Sequence, residues 1–319
     1  MLGKINSWMA GMNVLIVDDV HACLPEGLCE VGCNVLYLPD ADRGEIIANL
    51  PGKQVLIIRS KTTVDFELLN AAKDLKIIAR AGAGLDNIDL ELANAQNITC
   101  VNAGEANSDA VGEHALGLLL MLNNKLAKAF FEVRQKIWLR EANRGVELAG
   151  KTIAIIGYGN TGKAFAQKLS GMGVQILAYD KYLHGFGSAI VKESNWEEIY
   201  EAADILSFHV PLTSETKYYL DRTKIAQFKK DFTLLNLSRG KVVHTNALIE
   251  ALKIGKINSC ALDVLENEDL KNLNSTEFEE FTYLSQNEKV ILTPHIGGWT
   301  KESYHKISNV LLLKLLTFS

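Results

Sequence analysis

Short apolar runs of three to six residues alternate along the chain with longer segments in which apolar side chains recur at helical spacing. This is the pattern of βαβ units, whose buried parallel strands read as nearly continuous apolar runs. A first group, Asn13–Val17, Val35–Leu38, Val55–Ile58, Lys76–Ala79 and Thr99–Val101, predicts five strands, each followed by a loop and a helical stretch. A second group follows the Glu147–Lys151 turn: Thr152–Ile156, Val174–Tyr179, Ile205–Phe208, Thr233–Asn236, Ser259–Leu262 and Val290–Leu292. Six such strands make a complete dinucleotide-binding sheet. The fold class is therefore α/β, with two doubly wound parallel-sheet domains.

Between the groups, Ser108 to Leu126 carries Val111, Ala115, Leu118, Leu119 and Leu122 at helical spacing and predicts one long helix linking the domains. Residues 299–319 read as a single amphipathic helix, with Lys301, Glu302 and Lys306 on its wet side. The first domain lacks a closing helix, so this one is expected to return to it. The expected division is 1–105 with 299–319, and 106–298.

Composition narrows the function. An apolar fraction of 48% over 319 residues supports two ordinary cores and excludes disorder. The net charge of −5, with no basic run, leaves nothing to capture nucleic acid or an anionic membrane. The longest apolar stretch, Ala115–Leu122, is far short of the roughly 20 residues of a bilayer-spanning helix. The N-terminal MLGKINSWMAGMN has no apolar leader core, which points to a cytoplasmic protein, and Met12 could serve as an alternative start. The five cysteines form no CxxC pair and the seven histidines are scattered, so no metal is expected.

The first strand of the second group runs into Gly157-Tyr158-Gly159-Asn160-Thr161-Gly162 and then a helical stretch, the setting that a GxGxxG turn requires. Its glycines permit a tight turn, close approach of a pyrophosphate and close helix–strand packing, while the amides of Asn160 and Thr161 face the phosphates. Asp180 lies 18 residues beyond Gly162 at the end of the next strand, placed to accept hydrogen bonds from ribose hydroxyls. A carboxylate there repels a 2′-phosphate, so NAD is expected rather than NADP, although Lys181 stands beside it.

Several stretches carry a wider likeness: IRSKTTV from Ile58, ARAGAGLDNIDL from Ala79, VNAGEANSDAVGEHALG from Val101 and ELAGKTIAIIGYGNTG from Glu147. SFHVPLTSETK from Ser207, LLNLSRGKVVHTNAL from Leu234, ALDVLENE from Ala261 and LTPHIGG from Leu292 continue it. Over nearly its whole length the chain resembles the D-isomer-specific 2-hydroxyacid dehydrogenases, most closely the D-3-phosphoglycerate dehydrogenases of serine biosynthesis. The resemblance implies a flavodoxin-like substrate domain and a Rossmann NAD-binding domain, a cleft that closes over the cofactor, and a homodimer formed through Ser108–Leu126 and the FFEVRQKIWLRE segment. Trp138 lies in that segment, and Arg140 could reach the partner's site.

The resemblance maps a catalytic trio onto Arg239, Glu268 and His295. His295 would exchange the C2 hydroxyl proton, Glu268 would hold its other ring nitrogen and favour the protonated ring, and Arg239 would grip the substrate carboxylate. It also implies that Ala83 and Gly84 offer amides to that carboxylate and that Asp263 meets the nicotinamide carboxamide. Val210 and Pro211 would line the adenine side, with Leu237 and Ser238 along the cofactor. Arg59, Ser60 and Lys61, at a strand end, are candidates for a substrate phosphate.

The chain departs from the family pattern at Asp269, where Pro is usual, and at His244-Thr245, where an acidic pair is usual; loop shape is expected to change there. Residues 267–288 form a polar-aromatic insert. Glu268 speaks against formate dehydrogenases, which use Gln at that place. With the chain ending at Ser319, no serine-sensing C-terminal domain is expected. Two alternatives stay open: reduction of glyoxylate, hydroxypyruvate or another 2-keto acid, and a non-enzymatic NAD-sensing scaffold.

Overall fold

Alternation of buried faces builds the first sheet: Val14 and Ile16 point into one core cluster, Leu15 and Val17 into another. Its parallel strands are β1 (Asn13–Ile16), β2 (Asn34–Tyr37), β3 (Val55–Ile58), β4 (Ile77–Arg80) and β5 (Thr99–Asn102), in the order β2-β1-β3-β4-β5. That is the flavodoxin-like arrangement. The helices are α1 (Cys23–Glu30), α2 (Arg43–Asn49), α3 (Phe66–Ala71) and α4 (Leu90–Ala95). Asp42, Asp65 and Asp89 cap the last three through their side chains. The structure, a computed structural model, describes residues 8–317. The first residues of the stretch searched for a leader, and residues 318 and 319 of the C-terminal helical stretch, lie outside them.

The chain divides into two compact units, Met1–Asn107 with Trp299–Ser319, and Ser108–Gly298. The second opens with α5 (Ser108–Asn123) and α6 (Leu126–Arg134). The single long helix expected here is thus broken: Lys125 takes a left-handed conformation (φ 50°) and starts a new helix. No residue of α6 is buried.

The second sheet holds β6 (Thr152–Ile156), β7 (Gln175–Tyr179), β8 (Lys192–Glu193), β9 (Ile205–Phe208), β10 (Phe232–Asn236), β11 (Ile257–Leu262) and β12 (Val290–Leu292). All are parallel, in the order β12-β11-β10-β9-β6-β7-β8. The dinucleotide-binding order is therefore extended by one strand at the β12 edge. Six strands were expected; the two-residue β8 is polar and not fully buried, so an apolar pattern cannot reveal it. Around the sheet run α7 (Asn160–Leu169), α8 (Trp196–Ala202), α9 (Arg222–Gln227), α10 (Thr245–Lys253) and α11 (Ser275–Gln286). The insert of residues 267–288 is largely α11, opened by an Asn274/Glu277 capping box and anchored by the buried Leu284.

After Gly298 the chain rejoins the first unit as α12 (Lys301–Thr317). Ile307, Leu311, Leu312, Leu315 and Leu316 fill one of that unit's two core clusters. Contact with α1 is tight enough that a Cβ on Gly27 would sit 2.4 Å from Leu312 Cδ2. Among the described residues no helix is long and apolar enough to cross a membrane.

Candidate active site

Because β10, β11 and β12 are parallel neighbours, the loops leaving their C-terminal ends lie side by side, where ligands bind in open α/β sheets. Those loops carry Arg239, Glu268 and His295 in that order.

The Arg239 loop is built by Asn236, which is 1% exposed. Its Oδ1 accepts from the Ser238 amide and hydroxyl, and its Nδ2 donates to Arg239 O at 3.0 Å. The guanidinium donates to Ser238 O at 2.7 Å. At Gly240 a Cβ would stand 1.8 Å from Leu265 O, so only glycine lets this loop lie against the one that leads to Glu268. Asp269 turns that second loop by accepting from Asn272 Nδ2 at 2.7 Å, a role proline could not fill. His244 caps α10 in place of the usual acid, through a long 3.5 Å bond to the Ala247 amide.

His295 Nδ1 lies 3.0 Å from Glu268 Oε2. An ionised carboxylate only accepts, so Nδ1 carries the hydrogen and Nε2 is left to exchange a proton. Both side chains are half exposed. His295 sits at φ 56°, a strained conformation for a residue with a Cβ. Asp263 holds it there: its backbone O accepts the His295 amide at 2.8 Å, and its carboxylate accepts from Thr293 Oγ1, Ile296 N and Gly297 N. His114 on α5 stands 3.2 Å from Thr293 Oγ1. Burial pushes the Asp263 carboxyl up, but the bonds from His114, Thr293, Ile296 and Gly297 outweigh it and hold the group below the usual carboxylate range. Asp263 is 2% exposed and organises the loop that aims His295. Asn236, Thr293 and His114 escaped the sequence reading because hydroxyls and amides that brace loops carry no spacing signature.

The dinucleotide turn fits its group. Gly157 (φ 92°) would place a Cβ 2.5 Å from His209 O, and Gly162 would place one 2.0 Å from Gly157 O, so both are required by the protein itself. Gly159 has no atom within 4 Å of such a Cβ. Its missing side chain leaves a space that a pyrophosphate can enter, beside the start of α7, where Gly159 makes no side-chain cap and leaves the Asn160 and Thr161 end open to phosphate. Asp180 follows β7, with Oδ2 accepting the Tyr158 amide at 2.8 Å and Oδ1 those of Tyr182 and Leu183. Lys181 is drawn off to Glu215 at 2.5 Å. Val210 is half-buried and Pro211 exposed after β9, whereas Leu237 and Ser238 are buried behind Arg239.

The remaining five residues belong to the other unit. Arg59 stacks its guanidinium 4.0 Å from the Trp299 ring centroid, with Asp19 3.9 Å away. Ser60 is exposed, and Lys61 donates to Pro39 O and Ala41 O, closing the loop after β2. Ala83 and Gly84 are half-buried, with Ala83 O held by Asn102 Nδ2 at 2.5 Å. Arg80, not singled out from sequence, lays its guanidinium over Gly82, where a Cβ would meet Nη1 at 1.9 Å. The fold also gathers two of the histidines that looked scattered: His21 and His305 meet with ring centroids 4.7 Å apart.

Residues 116–297 match the family described as D-isomer specific 2-hydroxyacid dehydrogenase, NAD binding domain. A D-3-phosphoglycerate dehydrogenase of Mycobacterium leprae (strain TN) is 36% identical over 292 residues, covering 91% of this chain and 53% of its own length. The chain thus spans about half the length of that relative. A hydroxypyruvate reductase of Thermotoga maritima is 34% identical over 274 residues, 86% of this chain and 87% of that protein. Among solved structures, the D-lactate dehydrogenase of Aquifex aeolicus complexed with NAD and lactic acid superposes with a TM-score of 0.82 at 25% identity, covering 94% of this chain and 93% of that one.

Proposed function

The chain belongs to the D-isomer-specific 2-hydroxyacid dehydrogenases, and from that premise we propose that it oxidises D-3-phosphoglycerate to 3-phosphohydroxypyruvate with NAD. The observation that carries the reading is the 3.0 Å pairing of Glu268 with His295 Nδ1, which leaves Nε2 as the proton acceptor. His295 takes the C2 hydroxyl proton. Glu268 fixes the tautomer and stabilises the imidazolium that forms. Arg239 holds the substrate carboxylate and the developing carbonyl with its planar fork, helped by the Ala83 and Gly84 amides. Bound NAD supplies the hydride acceptor. Gly157, Gly159, Asn160, Thr161 and Gly162 seat its pyrophosphate, and Asp180 selects the unphosphorylated ribose. Val210, Pro211, Leu237 and Ser238 bound its path. Arg59 and Ser60 recognise the phosphate of the substrate.

NADH formation with D-3-phosphoglycerate at alkaline pH, alongside D-glycerate and D-lactate, tests this directly. A phosphate-dependent signal lost in His295→Ala supports it. The likeness to the Thermotoga hydroxypyruvate reductase over most of both chains favours a second reading, reduction of an unphosphorylated 2-keto acid. Turnover of hydroxypyruvate or glyoxylate with silence on 3-phosphoglycerate selects it. Tight NADH binding without turnover of any 2-hydroxy acid selects an NAD-sensing scaffold instead.

The chain also exposes Phe130, Phe131, Val133, Ile137, Trp138 and Leu139 in one stretch. Such a patch is costly in a monomer, and it supports assembly as a homodimer. The cytoplasm is the compartment that suits five unpaired thiols and NAD chemistry.

A further inference from the structure

The segment after β1 carries His21 to the start of α1, whose first residue is Cys23. From the far end of the sequence, α12 presents His305 and Ser308, three residues apart and so on one face. Ser308, 1% exposed, accepts the His21 amide on its Oγ at 3.1 Å and fixes that segment against α12. The His21 and His305 rings meet edge to face, interplanar angle 88°. One ligand-capable atom from each of His21, Cys23 and His305 lies within 4.8 Å of the other two. Among the described residues this is the one group of three such side chains. It lies wholly in the unit formed by the two ends of the chain, and none of its members takes part in the chemistry assigned above.

We propose that His21, Cys23 and His305 bind a divalent transition metal, zinc first among them, and that the ion pins α12 to α1. A thiolate with two imidazoles is a borderline-soft donor set that suits zinc and disfavours magnesium or calcium. Metal–ligand lengths of about 2.0–2.3 Å in a tetrahedron place the donor atoms about 3.3–3.6 Å apart. The donors must therefore close by an ångström or so, a movement that rotation of the exposed His305 side chain supplies. His21 Nδ1 accepts the Cys23 amide at a long 3.2 Å, so it carries a lone pair that an ion can take over. Binding releases the Cys23 thiol proton to solvent, and water completes the fourth position.

The test is a Co(II) titration of the metal-free full chain carrying no affinity tag, followed by displacement with Zn(II). One equivalent producing a thiolate-to-cobalt charge-transfer band is expected. Cys23→Ser removes that band, His305→Ala weakens binding at least tenfold, and Cys29→Ser changes neither. Zinc at a hundredfold excess over the wild-type Kd raises the wild-type melting temperature by about 5 °C or more and moves Cys23→Ser and His305→Ala by no more than about half as much. Circular dichroism of the metal-free variants, matching wild type, separates lost ligation from lost folding; His305 is exposed, so its replacement leaves the core intact. Absence of the band at millimolar cobalt overturns the proposal, as does a band that survives Cys23→Ser or vanishes in Cys29→Ser.

Discussion

Asp263 Oδ2 accepts the Gly297 amide at 2.8 Å, and a Cβ on Gly297 would stand only 2.9 Å from the same oxygen. Carboxylate and glycine are shaped to each other, with Ile296 and Thr293 bound to the second oxygen. Asp263→Asn turns an acceptor into an NH2 that must face a backbone donor. The expected cost is about 2 kcal/mol of stability, together with a fall in kcat as His295 loses its aim. Chemical denaturation and steady-state kinetics on one preparation check both.

Removing the charge but not the size at Glu268 separates orientation from electrostatics. Glu268→Gln is expected to lower kcat by about 10–100-fold and His295→Ala by about 10²–10⁴-fold, the range for loss of a general acid/base. Equal kcat in Glu268→Gln and wild type would sink the assigned role of Glu268.

Two glycines of one motif give opposite outcomes. Gly159→Ala meets open space and should leave melting unchanged while raising KM for NAD. Gly162→Ala drives a Cβ to 2.0 Å from Gly157 O and is expected to cost about 3 kcal/mol or more. Thermal melts with and without NAD distinguish the two.

His209 is half-buried, its Nε2 2.8 Å from Ser207 Oγ, and desolvation of the ring holds it down at about 3 against an ordinary 6.5. The unfolded chain therefore binds a proton that the folded chain refuses. Stability is complete above pH 6.5 and declines as pH falls toward 3, by about 1.4 kcal/mol per pH unit from this group. His209→Gln should flatten that decline between pH 6.5 and 5, measured by urea unfolding at a series of pH values.

For the exposed stretch around α6, Trp138→Glu is expected to convert a dimeric scattering mass at micromolar concentration into a monomeric one. A monomeric mass in the unmutated protein would refute the assembly.

Strand positions were legible because parallel strands buried on both faces need unbroken apolar runs, as at Val55–Ile58. The dinucleotide turn was legible because its glycines answer to steric demands that recur wherever that turn is made. The break at Lys125 was not, since a lysine in a left-handed conformation leaves no mark on the apolar period. Asp263 was legible as a residue but not in its surroundings: the donors that surround it come from loops 30 and more positions away. His21 and His305 could be brought together only by the fold.

A unit assembled from two stretches on either side of another is finished after it. During synthesis residues 108–298 emerge as an unbroken block and can close their own core, while the first unit waits for Ile307, Leu311 and Leu315 with part of its sheet face bare to solvent. Any ribosomal stall or nonsense codon ahead of Lys301 would leave a folded dinucleotide-binding block tethered to a sticky, half-built neighbour, a natural substrate for chaperones and proteases.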